Sequence, residues 1–357
     1  MNITDIDPNF KVEENIGREG LKFYNSESAP FRIYGVYREN DRFVRMPTEV
    51  AQTVSPGVRN LAICLAGGRV RFITNSPYVA IHAKLLRIYK ADHFTLCGAA
   101  GLDVYIAKPG EASRYAGTFR PPVDMETSYQ SIVHLPRGEW EVTINMPLYS
   151  GLSELYIGLD ENASIKEPTP YKYEKPVLYY GSSITQGGCA SRAGMSYQGI
   201  LSRRLDCDYI NLGFSGSAKG EPEMIDYLAT LDPSVFVLDY DHNAPSPEHL
   251  EATHEKLFKT FRAAHPYTPV IMISKPRPEE IFASADYQRR DIIMRTYINA
   301  KNGGDENVWF IDGSTLMTIE ATVDTCHPTD LGFTIMADGI EPVLSAALKR
   351  AAKLAAK

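Results

Sequence analysis

The stretch that decides the fold of the second half of the chain is VLYYGSSITQGG, residues 177–188. Its apolar run, residues 177–180, is followed by glycines at positions 181, 187 and 188. Glycine lets the backbone turn tightly and approach a ligand closely. The stretch therefore predicts a buried strand that ends in a tight turn, with Ser183 at the mouth of a sheet.

Downstream of this stretch, apolar runs alternate with segments of helical period. The strand-like runs are residues 209–212, 235–240, 269–274 and 308–311, and the helical segments are residues 197–205, 221–231, 247–264, 287–300 and 331–356. Strands that alternate with helices of this length form a parallel sheet with helices on both faces. In such sheets the functional residues lie at the carboxyl ends of the strands.

Upstream of residue 177 the chain has a different period. Alternating or β-branched runs occur at residues 70–73, 78–84, 102–107, 131–135, 141–145 and 154–158, with turn signals between them. Short strands punctuated in this way indicate a β-sandwich or jelly roll. The proline-rich segment KEPTPYKYEKP, residues 166–176, is typical of a stiff linker. We therefore predict a β-rich accessory domain at residues 1–165, a linker at 166–176 and an α/β domain at 177–357.

The composition is that of a globular protein, with 44% hydrophobic and 23% charged residues. A net charge of -7 without a Lys/Arg-rich run argues against a nucleic-acid partner. The N-terminus has no signal-peptide pattern, and no run reaches the apolar length of a spanning helix, so we expect a cytoplasmic protein without a membrane partner. Five cysteines without a C-x-x-C pair indicate reduced, mostly buried thiols rather than disulfides or a zinc site. A homo-oligomer is left open.

A serine, a histidine and an aspartate lie where they can act together. Ser183 follows the first strand of the α/β half, and the segment DTCHP, residues 324–328, places Asp324 three residues before His327. A serine nucleophile needs a histidine to take its proton and a carboxylate to fix the imidazole tautomer. Read alone, the serine also fits a helix cap, and the D-x-x-H pair fits a loop hydrogen bond.

Two further segments follow strand ends. NLGFSG, residues 211–216, follows the second predicted strand, and DHNA, residues 241–244, follows the third. Acyl transfer needs hydrogen-bond donors for the developing oxyanion, which a backbone N–H or an asparagine amide can supply. Gly216 and Asn243 are the candidates, although each read singly is more often a turn residue.

These four segments, in this order and at these strand ends, resemble the blocks of the SGNH (GDSL-type) hydrolase family. The resemblance covers about residues 176–357 and implies a flavodoxin-like three-layer fold with a parallel sheet. It implies Ser183 as nucleophile, His327 as general base and Asp324 as its partner. The oxyanion hole would be formed by the Ser183 N–H, Gly216 and Asn243, and no cofactor would be needed.

The chain departs from the blocks of this family at three positions. Ser182 stands where the family has Asp, Asp241 replaces the third-block Gly, and Ala244 replaces its Asp. None of these changes removes a catalytic group. A β-rich domain before this fold resembles bacterial two-domain carbohydrate esterases, which remove acetyl groups from sugars. The resemblance therefore implies a serine esterase for short acyl esters, on a small molecule or an oligosaccharide.

Other hypotheses stay open at the level of sequence. A lipid or thioester acyl hydrolase would share the fold, and a non-catalytic carbohydrate-binding protein could retain it. The acidic and imidazole side chains of Asp239, Asp241 and His242 could instead bind a divalent ion for a metal-dependent hydrolase. Arg192 follows the nucleophile loop and could contact the substrate, although an ordinary surface arginine fits equally well.

Overall fold

Three large β-sheets organise the computed structural model, which describes residues 16–356. Two of them are antiparallel and come from the first half of the chain, and the third is parallel and comes from the second half. This arrangement confirms the predicted fold class, a sandwich or jelly-roll domain followed by a parallel α/β domain.

The first half consists of short strands with three small helices. The strands are β1 (Leu21–Asn25), β2 (Arg32–Tyr34), β3 (Tyr37–Glu39), β4 (Arg42–Val44), β5 (Arg69–Thr74), β6 (Tyr78–Arg87), β7 (Leu102–Ala107), β8 (Arg114–Phe119), β9 (Ser128–His134), β10 (Trp140–Asn145), β11 (Gly151–Asp160) and β12 (Ile165–Lys166). The helices are α1 (Thr48–Val54), α2 (Pro56–Leu61) and α3 (Leu96–Ala100). Five of the six predicted runs fall within strands, and the sixth, residues 131–135, overlaps β9, whereas β1–β4, β8, β12 and the helices were not predicted.

The two antiparallel sheets enclose a common core. One sheet has the order β1-β11-β6-β9 and the other the order β12-β5-β10-β7-β8, with β2 also paired to β5. Apolar side chains from both sheets, among them Ile81, Ile157, Phe72 and Val142, are buried in one cluster. Because alternate residues of a strand point to opposite faces, the alternating pattern of these runs supplies that core.

The second half contains the five-stranded parallel sheet. Its strands are β13 (Tyr173–Gly181), β14 (Cys207–Gly213), β15 (Val235–Asp239), β16 (Val270–Ile273) and β17 (Val308–Ile311), in the order β14-β13-β15-β16-β17. Its helices are α4 (Ser183–Gln186), α5 (Tyr197–Leu205), α6 (Pro222–Thr230), α7 (Pro247–Ala264), α8 (Ser284–Asn302) and α9 (Asp330–Ala355). The strand order reverses beside β13, which places its carboxyl end at the switch point where such folds carry their sites.

Helices cover both faces of the parallel sheet, which explains its continuous apolar strands. Val177 and Tyr179 of β13 share one core with side chains of α5 and α9. Leu178 and Tyr180 point to the opposite face and share another core with side chains of α6, α7 and α8. A strand buried on both faces has no polar face, so it reads as an apolar run rather than an alternating one.

The segment between the halves is shorter than the predicted linker. Ile165 and Lys166 already pair with β5, and β13 begins at Tyr173. The domain limits at residues 165 and 177 stay a prediction, because strand pairing alone does not define a domain.

Helix α9 is, by length and composition, the one helix among residues 16–356 that could cross a membrane. However, 44% of its most apolar window is buried. Phe333, Met336 and Ile340 pack in the core beside β13 and β15. Because the core helix of a folded domain passes the same test of length and composition, α9 does not indicate a membrane partner.

Buried arginines of the first half bind the second half. Arg45 donates to the carbonyl oxygens of Asn211 and Gly213, each at 2.9 Å, at the end of β14. Arg69 is paired with Asp208 and donates to the carbonyl oxygen of Tyr209. These contacts tie the sandwich to β14, which leads into the loop that contains Gly216.

Candidate active site

Ser183 lies at the carboxyl end of the central strand. It is the first residue of α4, and the hydroxyl of Ser182 caps that short helix by accepting from the Ile184 N–H at 3.2 Å. Ser183 is only 9% exposed, so it is nearly buried at the carboxyl edge of the sheet and does not lie on an open loop. The turn has the geometry that the glycine-rich stretch predicts.

A chain of hydrogen bonds connects Ser183, His327 and Asp324. The Oγ of Ser183 lies 2.9 Å from Nε2 of His327. Nδ1 of the same ring lies 2.8 Å from Oδ2 of Asp324. Ser183 and His327 are 144 residues apart in sequence, so the fold brings them together. With the proton on Nδ1, Nε2 is free to accept the serine proton, as a general base requires.

The loop around Asp324 orients the histidine ring. The second carboxylate oxygen, Oδ1, accepts from the backbone N–H groups of Cys326, at 3.1 Å, and His327, at 2.7 Å. Thr325 has a φ of +63°, a left-handed conformation that closes this turn. Burial raises the pKa of Asp324, but the hydrogen bonds from the His327 backbone and ring outweigh it and lower that pKa overall. The carboxylate therefore stays ionised at neutral pH, where it stabilises an imidazolium.

Gly216 and Asn243 lie on the loops that follow β14 and β15, the two neighbours of β13. Gly216 has a φ of +66°, and a Cβ placed there would meet nothing within 4 Å, so its backbone is open on that side. The Nδ2 of Asn243 donates to the Phe214 carbonyl at 2.8 Å, which fixes the amide against the loop of Gly216. One amide hydrogen remains for another acceptor. The oxyanion role of both residues stays a prediction.

The first half of the chain contributes a tyrosine that the sequence did not reveal. The hydroxyl of Tyr149 donates to the backbone carbonyl of Ser183 at 3.3 Å. A Cβ at Gly188 would lie 2.8 Å from that hydroxyl and 3.3 Å from Cδ2 of His327. Only glycine leaves room for both rings at this position. Nothing in the local pattern around Tyr149 signals this contact, because it depends on how the two halves pack.

His93 and Cys189 also come close to His327. His93, on the loop after β6, has its ring centroid 5.5 Å from that of His327. Within residues 16–356, His93, Cys189 and His327 are the one group whose donor atoms could hold a metal ion, all within 4.8 Å of one another. Cys189 has a φ of +72° and a buried thiol. Neither His93 nor Cys189 was singled out by the sequence.

Arg192 makes ionic and aromatic contacts between the two halves. Its Nε lies 3.6 Å from the Asp103 carboxylate and its Nη1 lies 3.9 Å from the Asp330 carboxylate. Its guanidinium lies 4.2 Å from the ring centroid of Tyr115. Asp103 in turn accepts from the Gly194 N–H at 2.8 Å, so this network holds the loop after the nucleophile turn. A contact between Arg192 and substrate stays a prediction.

The side chains of Asp239, Asp241 and His242 do not converge on a common point. Asp239 accepts from Thr185 Oγ1 at 3.0 Å and from the Tyr197 hydroxyl at 3.1 Å, and burial raises its pKa to about 8. Asp241 pairs with Arg289 at 3.0 Å, and His242 Nε2 lies 3.0 Å from the Pro276 carbonyl. Each group is committed to a different structural partner. Among the described residues, this geometry gives the metal-dependent hypothesis no support.

Comparisons with known proteins match both halves. The family model of the GDSL-like lipase/acylhydrolase family matches residues 174–345, and a model of the N-terminus of SGNH-hydrolase-type esterases matches residues 21–165. No curated protein sequence matches the chain.

Solved structures resemble the whole two-part chain. One described as a GDSL-like lipase from Bacteroides ovatus is 30% identical, with 92% of this chain and 98% of that one covered and a TM-score of 0.82. The salicylyl-acyltransferase SsfX3 of a tetracycline biosynthetic pathway is 20% identical over the same shares, with a TM-score of 0.74. A family two carbohydrate esterase from Cellvibrio japonicus is 13% identical, again over 92% and 98%, with a TM-score of 0.62. The last two show similarity of fold alone.

Proposed function

This chain belongs to the GDSL-like lipase/acylhydrolase family, and on that premise we propose that it is a serine esterase with Ser183, His327 and Asp324 as its catalytic triad. The observation that carries the proposal is the pair of hydrogen bonds that joins them, at 2.9 Å and 2.8 Å. Three side chains from two segments that are far apart in sequence meet in the order nucleophile, base and carboxylate, which nucleophilic catalysis needs.

The proposed mechanism uses only these groups and the neighbouring loops. Nε2 of His327 takes the Ser183 proton as Oγ attacks the ester carbonyl. The oxyanion accepts hydrogen bonds from three donors: the Ser183 N–H, the Gly216 N–H and the free hydrogen of the Asn243 amide. His327 then protonates the leaving alcohol, and water attacks the acyl-enzyme by the same route to release the acid.

We propose a short acyl ester, acetyl above all, on a saccharide as the substrate. The side chains of Lys275 and Arg277 lie close enough to Cys326, the neighbour of His327, for their positive charges to act on its thiol. A polar, charged rim suits an oligosaccharide better than a fatty acyl chain. The fold shared with a family two carbohydrate esterase agrees with this choice.

An exposed aromatic ring near the nucleophile adds to the case for a sugar. Tyr89 is 38% exposed, and its ring centroid lies 5.2 Å from that of Tyr149, which contacts Ser183. An exposed aromatic face provides the apolar surface against which a sugar ring can pack. We assign Tyr89 as a stacking residue for the saccharide part of the substrate.

The triad is tested with p-nitrophenyl acetate. Ser183→Ala should lose about 10⁴-fold or more in kcat, whereas the matched variant Ser215→Ala should keep most of its activity. The reverse outcome would mean that Ser215 is the nucleophile. Activity that survives EDTA is also expected, and its loss on chelation with recovery on adding a divalent cation would favour the metal-dependent alternative.

The substrate is tested with an acyl series and a sugar ester. p-Nitrophenyl acetate should be cleaved faster than the octanoate, and acetylated xylo- or manno-oligosaccharides should release acetate. A rate that climbs from acetate to octanoate would refute the short-chain proposal and favour a lipid or thioester substrate. Tyr89→Ala should raise KM for the oligosaccharide but not for p-nitrophenyl acetate, while Tyr267→Ala, at a ring that is 70% exposed, should change neither. An equal effect of Tyr89→Ala on both substrates would exclude a stacking role.

A further inference from the structure

Two ligand-type side chains lie beside the histidine that the proposed mechanism uses, so that three possible metal ligands come together. His93 comes from the loop after β6, Cys189 from the loop after α4, and His327 from the loop before α9. One donor atom from each lies within 4.8 Å of the others. Two imidazoles and a thiol form a donor set that soft divalent cations, zinc above all, bind in proteins.

The spacing of these atoms is close to that of a zinc site. Zn–N and Zn–S bonds of about 2.0–2.1 Å and 2.3 Å place tetrahedral ligand atoms about 3.3–3.6 Å apart. The three donors must therefore approach by little more than 1 Å. His93 is exposed and lies on a loop, so a side-chain rotation can supply that movement.

Cys189 follows a glycine that lies close to His327. Its left-handed φ of +72° follows Gly188, whose Cα has so little space that a Cβ there would lie 3.3 Å from Cδ2 of His327. The backbone at Gly188 thus passes close beside the imidazole. The thiol of Cys189 is free of any disulfide and can release its proton to bind a cation.

We propose that His93, Cys189 and His327 form an inhibitory site for Zn²⁺ or a cation of similar softness. Nδ1 of His327 carries the proton that is shared with Asp324, so only Nε2 offers a lone pair to a metal. That lone pair is also the one that faces the Ser183 hydroxyl. On binding, the Cys189 thiol gives its proton to solvent, the cation bonds to the thiolate and both imidazoles, and water completes the fourth position.

The cation and the serine proton compete for the same nitrogen, so binding blocks catalysis. This consequence rests on the proposed function, because it requires His327 to be the general base. The binding itself does not, since it depends only on the three donor groups. The two parts can therefore be tested separately.

Inhibition is tested by titrating Zn²⁺ into the esterase assay. The wild type should lose activity and regain it with EDTA. His93→Ala, at an exposed residue outside the triad, should keep the wild-type rate in the absence of zinc and need about 10-fold or more zinc for half inhibition. Cys189→Ser should also need more zinc for half inhibition, measured relative to its own rate without zinc.

Cys326→Ser is the matched thiol control for the titration. Cys326 is the neighbour of His327 in sequence, but its Sγ lies 3.9 Å from Nδ1 of His242 and outside the group of three. It should keep the zinc sensitivity of the wild type relative to its own rate. Unchanged half-inhibition in His93→Ala and Cys189→Ser would overturn the inhibitory site.

Binding is tested without catalysis by adding Co²⁺ to the full-length Ser183→Ala variant. A thiolate-to-cobalt charge-transfer band in the near ultraviolet is expected, and Ser183→Ala/Cys189→Ser should lack it. Ser183→Ala/His93→Ala should need about 10-fold or more cobalt to develop it. A band that persists without Cys189, or no band at all, would overturn the site even if the chain proves to have no esterase activity.

Discussion

Replacing Asp324 by asparagine tests the proposed triad at the point where its two hydrogen-bonding roles separate. Oδ2 of Asp324 receives Nδ1 of His327, while Oδ1 receives the backbone N–H groups of Cys326 and His327. An asparagine has one acceptor oxygen and one donor nitrogen, so it cannot serve both sides.

Two orientations of the amide are available in Asp324→Asn. If its oxygen stays on the backbone N–H groups, its NH₂ faces Nδ1 of His327, and the ring proton must move to Nε2. The ring then points a donor at Ser183 and is no longer a base. If the amide flips, two backbone donors lose their acceptor, at a cost of about 0.5–1.5 kcal/mol each, the net contribution of an ordinary hydrogen bond, because both bonds are exposed to water.

The first orientation keeps the loop intact, so we expect it to dominate. The wrong tautomer then lowers kcat by about 10⁴-fold, as it does in a serine protease with the same change, or about 5 kcal/mol in activation free energy. KM and the melting temperature should change little. The assay is steady-state hydrolysis of p-nitrophenyl acetate, with thermal unfolding of the same preparations.

Asp338→Asn is the matched control. It removes the same charge from a residue of α9 whose carboxylate is 60% exposed and bound to Arg204, so its kcat should equal that of the wild type. A kcat for Asp324→Asn within about tenfold of the wild type would show that Asp324 does not set the tautomer of His327. A variant that keeps its activity but has a much lower melting temperature would show that the second orientation prevails.

Three further changes test the surroundings of the site. Asn243→Ala should lower kcat by about 10²–10³-fold with a smaller change in KM, and an effect on KM alone would make the amide a ground-state contact. Arg45→Ala leaves three carbonyl oxygens without their donor and should lower the free energy of unfolding by about 3–5 kcal/mol in urea titrations; a loss under about 1 kcal/mol would show that water replaces the guanidinium. Burial raises the pKa of Asp239 to about 8 in the folded chain, whereas an unfolded chain releases this proton near pH 4. The contribution of the protonated carboxyl to the free energy of unfolding is therefore complete below about pH 4 and is lost as pH rises toward 8. Relative to Asp239→Asn, the wild type should therefore lose up to about 1.4 kcal/mol of unfolding free energy per pH unit between about pH 5 and 8, and parallel pH profiles would mean that the carboxyl is ionised in the folded chain.

The parallel sheet could be predicted because its strands are apolar on both faces. Residues 177–180 and 235–240 read as strands for this reason, and both lie within or overlap strands of the structure. The first residues of β13, Tyr173–Lys175, lie in the proline-rich segment that predicts a linker, so the sequence pattern does not show that the strand begins there. The short strands β1–β4 were missed because runs of three to five residues are too short to show a clear alternating pattern.

The contacts of the candidate site could be predicted where they are local in sequence and could not be where they depend on the folded chain. The pairing of Asp324 with His327 could be expected because both partners share one turn, where three residues of chain bring them into contact. Tyr149 could not be expected near Ser183, because that contact exists only after the sandwich packs on the α/β half. Cys189 gave no signal either, since its approach to His93 and His327 exists only once three separate loops have folded together.

The contacts of the first half indicate that it builds the site instead of being an appendage to it. Tyr149 binds the carbonyl of Ser183, the proposed nucleophile, and Arg45 binds the carbonyls that end β14, just before the loop of Gly216. Asp103 holds the loop after the nucleophile turn through the Gly194 N–H. The contacts of Tyr149 and Arg45 fix backbone segments that carry the proposed nucleophile or lead to a proposed oxyanion donor, and preorganised donors act on a transition state only while their backbone stays in place. The sandwich therefore supports the turn of Ser183 and the loop of Gly216 at the same time, which is a sufficient physical reason for the two halves to occur together across the full length of the similar structures.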